Sequence, residues 1–223
     1  MIGAMVYKDV VIIKRTVRMY LLLVLLYLVM TMSGVIEGAG MVNSFAAMFS
    51  VSVPLGCFSL DELARWEKFA ITLPLGRKGV VQAKYAMVLL LTVVTSLFIV
   101  LMNLALFSFF PSQIPSLPAG LLSAVAMTAG CLLVHALLTP ACFKYGVQKA
   151  RVVIFVALAA AVAIIIPLGM MTTFPLRATA AISGWNPFVG EVGALVVGAL
   201  VAAMLLLFVS YRLSLRIYEK KEF

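Results

Sequence analysis

The chain has 223 residues, 65% of them hydrophobic and 11% charged, with a formal net charge of +9 and a mean hydropathy of +1.18. An average soluble domain is about half apolar and about a quarter charged, so this balance excludes an ordinary water-soluble globule and favours lipid as the solvent. The charges gather in short clusters that flank apolar runs and never form a separate basic patch, which excludes a nucleic-acid partner as the reason for the basic balance.

Residues 1–18 carry Lys8, Lys14, Arg15 and Arg18 among Ile2, Met5, Val6, Val10, Ile13 and Val17. They resemble a signal peptide superficially, but the expectation is that they are retained. Two readings stay open: an amphipathic helix lying at the cytoplasmic interface, or a positively charged topology anchor. The first expected span covers residues 19–36 and the second residues 40–58. The Glu37-Gly38-Ala39-Gly40 link is so short that the two form a tight antiparallel hairpin, with Pro54 kinking the second span.

Residues 59–84 form the most distinctive segment. Ser59, with Glu62 three residues on, has the spacing of a reciprocal capping box, and Asp61 and Glu62 put negative charge at the positive end of a helix dipole. The expected helix runs from Leu60 to about Leu73, where Pro74 and Gly76 stop it. Leu63, Trp66, Phe69, Ala70 and Leu73 recur on one side of it, while Asp61, Arg65 and Lys68 face away. Such a helix can rest on the inner leaflet with Trp66 at headgroup level, or it can be a docking knob, since aromatic residues, Arg65 and Arg77 are types that dominate protein interfaces.

The run from Tyr85 to Phe143 holds no Asp, Glu, Lys or Arg, and as one helix it would be nearly three times the hydrocarbon thickness at about 1.5 Å per residue. Pro111, Pro115 and Pro118 break it into spans over residues 85–109 and 118–140. His135 falls near the cytoplasmic end of the second of these, where it is expected to snorkel or bond a backbone carbonyl. Asn43, Ser44, Thr92, Thr95, Ser96 and Asn103 either line a path or bond neighbouring helices, the latter being the commoner arrangement. The fifth span covers residues 152–172, kinked by Pro167, and the sixth residues 188–211. In the sixth, Gly190, Ala194, Gly198 and Ala202 form a stripe of small side chains for helix packing, within the chain or against a second protomer. Cys57, Cys131 and Cys142 have no paired spacing and imply neither a disulfide nor a zinc site.

The expected fold is therefore an all-α membrane protein, a single transmembrane domain over residues 1–223 with six transmembrane helices. Sixteen of the seventeen Lys and Arg residues fall on one side of these spans and only Arg177 on the other. The positive-inside rule then puts both the N and C termini in the cytoplasm.

No H-E-x-x-H, G-x-S-x-G or phosphate-loop motif occurs, and ionisable residues are nearly absent from the spans. The chain is read as a non-enzyme without catalytic residues, metal or bound cofactor, and any energy for active transport must come from outside it. Nor is there a motif-level internal repeat of the kind that marks inverted-repeat carriers.

The pattern D-E-x-x-x-W-E-x-x-x-x-x-L-P-x-x-R from Asp61 to Arg77, with Lys84-Tyr85 downstream and Tyr7-Lys8-Asp9 near the start, resembles the ABC-2 type exporter permeases. One departure is Gly76 before Arg77, where relatives often carry a small polar residue. In size and layout the chain is similar to the small permeases of the phenol-soluble modulin exporters, whose cargo is amphipathic, membrane-active peptide. The resemblance implies a multi-pass subunit of a bacterial cytoplasmic membrane that exports a hydrophobic or amphipathic substrate. It also implies two copies of an ABC-type ATP-binding subunit, which carry ATP and Mg, and a second permease subunit as homodimer or sister heterodimer. Carried over by position, Asp61, Glu62, Trp66, Leu73, Pro74 and Arg77 lie at or beside the contact of a coupling helix with the ATPase. The alternative from the residues alone is an ATP-independent scaffold or gradient-driven carrier whose amphipathic loop lies on lipid.

Overall fold

A computed structural model describes residues 2–32, 39–70, 76–109, 116–171 and 188–220, and every regular element among them is a helix. In chain order these are α1 (Ile2–Met32), α2 (Ala39–Leu63), α3 (Trp66–Ala70), α4 (Gly76–Phe109), α5 (Leu117–Tyr145), α6 (Val147–Met171) and α7 (Phe188–Glu219). Within the described residues four stretches are long and apolar enough to cross a membrane: Asn43–Leu63, Gly76–Phe109, Leu117–Tyr145 and Gly193–Glu219. A shorter apolar stretch, Val17–Leu26, lies in α1. The protein is an all-helical integral membrane protein. The first and fifth expected spans run partly through residues whose side chains lie outside those described, as does the link around Glu37 and Gly38.

Helices overrun their expected spans at the end of the bundle that carries the charges. α1 is one continuous helix, so the interfacial segment and the first span are not separate elements. α2 continues to Leu63, α4 starts at Gly76, and α7 runs on to Glu219. Hydropathy marks where lipid ends, whereas a helix ends only where backbone geometry or a breaker stops it. Pro140 is no such breaker, since α5 carries it inside and continues to Tyr145 with Ala141, Cys142 and Phe143 buried. Surrounding helices hold that turn and offset the lost hydrogen bond. The start of α5 is conventional: Ser116 caps it, its hydroxyl accepting from the Ala119 amide at 3.4 Å, with Pro118 in the first turn.

α5 is the axis of the bundle, touching α2, α4 and α6 and packing most extensively along α7. α7 offers it Ala203, Leu207, Ser210, Ser214 and Tyr218, all buried and three or four residues apart. The main core lies towards the charged end, where Phe58, Phe143 and Tyr218 stack edge to face at centroid distances of 5.3 Å. α1 packs on α2 and α4 through a smaller core of Ile13, Val53, Cys57, Met87 and Leu91. Cys57, Cys131 and Cys142 are free and buried.

Polar groups inside the bundle tie helices together. Asn43 donates to Ser123 at 3.3 Å, Asn103 donates to the Gly120 carbonyl at 2.9 Å, and Thr128 donates to Ser96 at 2.9 Å, all joining α5 to its neighbours. Thr92 instead bonds the Val88 carbonyl of its own helix. His135 differs from expectation. It is fully buried, its Nε2 3.2 Å from Ser50 Oγ of α2, so it neither snorkels nor bonds a carbonyl. The reason is its place on the α5 face that meets α2, where a hydroxyl is nearer than any interface.

Candidate functional site

Three charged residues stand where their helices would otherwise be apolar. On α1, Asp9 lies between Met5 and Ile13, one turn from each; on α2, Asp61 follows Cys57 and Phe58; on α4, Lys84 lies between Val81 and Val88. All three are buried. A buried charge is stable only if paired, and packing α1 between α2 and α4 brings these three together with Lys8.

Lys84 Nζ donates to Asp9 Oδ2 at 2.9 Å and lies 2.6 Å from Asp61 Oδ2. Lys8 Nζ donates to Asp61 Oδ1 at 2.5 Å and lies 3.3 Å from Asp9 Oδ1. Two ammonium groups and two carboxylates thus form a closed, neutral clasp. Aromatic rings wall it: Lys8 sits 4.4 Å from the Trp66 ring centroid, and Lys84 5.1 Å from that of Phe58. The clasp joins α1, the end of α2 and the start of α4, and it holds α3 through Trp66.

The segment from Ser59 onward is not the single capped helix its spacing suggests. Ser59 lies inside α2, which closes on Leu63 with Ala64 N–H bonding the Leu60 carbonyl at 2.9 Å. Arg65 then takes φ +50°, a left-handed conformation that breaks the helix, and α3 follows as a five-residue turn. The faces are redistributed accordingly. Asp61, expected to point away, is 7% exposed inside the clasp, while Leu63, expected on the packed side, is 78% exposed. Trp66 is half-buried and stacks near Phe69, centroids 5.1 Å apart, and Phe69 itself is exposed. Leu73 and Pro74 lie outside the described residues.

Glu62 does not reach back to Ser59. Its Oε2 accepts from the Val147 amide at 3.0 Å, so it caps α6 across 85 residues of sequence. The carboxylate faces the positive end of the α6 dipole. Gly146, at φ +79°, makes the one-residue corner between α5 and α6, its amide bonding the Cys142 carbonyl at 3.1 Å. The positive φ is what calls for glycine there; a Cβ would also come 3.0 Å from Glu62 Oε1, so the capping carboxylate would have to shift slightly.

The α4–α7 seam continues the assembly. Arg77 donates to the backbone carbonyl of Glu219, and Lys78 pairs with the Glu219 carboxylate at 3.8 Å. About two turns on along α4, the Tyr85 hydroxyl bonds Ser210 Oγ at 2.7 Å and Ser214 Oγ at 2.8 Å. Of the expected contact residues, Asp61, Glu62, Trp66 and Arg77 are thus engaged with the rest of the chain, while Arg65 and Phe69 are presented outward, joined by Leu63, which was not among them. Lys8, Asp9 and Lys84 complete a cluster that motif spacing alone left scattered.

Elsewhere, Ala194, Gly198 and Ala202 lie on the exposed side of α7, opposite the face on α5, and Gly190 falls outside the residues whose surroundings are described. An apolar groove of about 200 Å³ lies between α1, α2 and α4, lined by Val17, Tyr20, Leu21, Phe49, Val94 and Phe98. Among the described residues no cluster of His, Cys, Asp and Glu has the makings of a metal site.

Neither the curated proteins nor the solved structures yield a match to this chain. A family model described as ABC-2 family transporter protein matches residues 4–219, almost the whole sequence and all of the elements that build the clasp. The chain belongs to the ABC-2 family of transporter proteins.

Proposed function

We propose that this chain is the permease of an ATP-driven exporter, in which an ATP-binding subunit docks on the α2–α3 segment beside the clasp. Family membership carries the coarser part: the chain is a membrane component of an ABC transporter, has no ATPase motif of its own, and works with an ABC ATP-binding subunit. The single observation supporting the docking surface is that Leu63 and Phe69 are exposed at the charged end, on a segment whose Asp61 and Trp66 are gripped by α1 and α4. Apolar side chains held rigidly at a polar end suit a protein partner, because little ordering entropy is lost on contact.

In this reading six spans cross the cytoplasmic membrane of a bacterium with both termini inside, as the basic residues favour. Two ATP-binding subunits hold ATP and Mg, and two permease chains, identical or sisters, meet through faces such as the Ala194, Gly198 and Ala202 stripe. Closure of the ATPase pair pushes on α3, and the clasp passes the displacement to α1, α2 and α4 as rigid bodies, alternating access. The apolar groove between those helices suits a hydrophobic or amphipathic cargo, and the resemblance to the modulin exporters favours a membrane-active peptide leaving the cell.

The test is co-expression with a neighbouring ATP-binding protein and capture on the tagged, detergent-solubilised chain. Leu63→Ser with Phe69→Ser is expected to weaken capture at least tenfold while insertion stays normal, an interface loss of about 1.4 kcal/mol or more. Trp66→Ala with Arg77→Ala should weaken it too. Unchanged capture would sink the docking role. No capture by the wild-type chain would favour the ATP-independent scaffold or carrier whose segment lies on lipid.

A further inference from the structure

At the charged end, the first turn of α4 and the last turns of α7 enclose a groove of about 540 Å³ lined by Lys78, Val209, Arg212, Leu213, Arg216 and Glu219. Arg212 and Arg216 are one turn apart and so rise from one face of α7, with Lys78 opposite on α4. Glu219 is the carboxylate of this lining and already pairs with Lys78. Positive charge is therefore in surplus. Below the cations Val209 and Leu213 form an apolar floor, and the exposed side of α7 continues from it through Leu205 and Leu206.

We propose that this groove binds an anionic glycerophospholipid, its phosphate between Lys78, Arg212 and Arg216 and its acyl chains along Val209 and Leu205. Cations at a polar edge, opening onto a continuous apolar track, match a headgroup and a tail in the order a leaflet presents them. An acidic surface of the ATP-binding partner would satisfy the cations but not the apolar floor, which runs along the exposed side of α7 between the cations and the Ala202 end of the small-residue stripe. The inference shares with the exporter reading only the placing of this end at a membrane surface.

The full-length chain in neutral detergent would be examined by native mass spectrometry with phosphatidylglycerol or phosphatidylcholine of identical acyl chains. The wild type is expected to retain phosphatidylglycerol in preference. Arg212→Gln with Arg216→Gln should reduce that retention about 25-fold, about fivefold per cation, and leave phosphatidylcholine retention unchanged. Arg212→Lys with Arg216→Lys should keep most of it, and Arg151→Gln, an exposed cation on α6, should change nothing. Both groove arginines are exposed, so an unaltered unfolding temperature in phosphatidylcholine is expected to show that the variants are folded. The inference is overturned if the double glutamine variant retains phosphatidylglycerol like wild type, or if soluble glycerol phosphate competes as well as the lipid. It is also overturned if that variant keeps its lipid but loses the ATP-binding subunit, which would assign the groove to that partner. The lipid measurements need no ATPase, so they stand or fall apart from the docking test.

Discussion

Asp9 is buried with two ammonium groups within 3.3 Å, and both offset the cost of taking its carboxylate out of water. Removing one member of the clasp strands an opposite charge in a buried place, whereas removing one of each sign leaves a neutral pair. Asp9→Asn and Lys84→Met are each expected to lower the unfolding free energy by about 3–5 kcal/mol, with the double variant losing much less than the two together. Denaturant unfolding in detergent gives the cycle, and strictly additive losses would show that the ions do not couple. The clasp was legible in part. Met5, Asp9 and Ile13 share one face, as do Val81, Lys84 and Val88, so a charge inside an apolar stripe was there to be read as a demand for a partner. Which charge answers which was not, because the residues of the Lys84–Asp9 bond are 75 positions apart and only packing brings them together.

At the scale of elements, the Ser59 to Glu62 spacing fits a capping box, yet α2 passes through it. A cap signature works where a helix has to start, and here the preceding residues were already helical with nothing to stop them. Glu62 was then free to serve the next helix that needed an acceptor. Glu62→Ala is expected to cost about 1 kcal/mol at the start of α6 and to speed hydrogen exchange of the Val147 amide about fivefold, with Glu62→Gln losing less. Equal exchange in all three proteins would remove the cap from the account. The break at Arg65 was hidden for a related reason. A left-handed residue is foreseen at glycine or asparagine, and an arginine there is held by its surroundings, with Asp61 drawn into the clasp on one side and Trp66 under Lys8 on the other.

For the whole molecule, composition and periodicity made the membrane class and the helical fold plain, since burial in lipid demands both. Helix ends were less legible because charge and hydropathy mark the interface and not the last hydrogen bond. The orientation follows from basic residues alone, and it has its own test. A fluorescent protein fused after Phe223 should fluoresce in the cytoplasm, and a cysteine placed at Arg177 should react with an impermeant thiol reagent added outside intact cells. Labelling at that position only after lysis would reverse the topology. The clasp also bears on how the protein is made. Lys8 and Asp9 leave the ribosome first, but Lys84 follows 75 residues after Asp9, and the Tyr85 bond to Ser210 waits a further 125. A nascent chain that ends before α4 therefore carries two carboxylates facing one ammonium. Its first helix gains its full set of partners only after the third long helix has been synthesised, so a chain cut short before Lys84 leaves one buried carboxylate of the pair uncompensated.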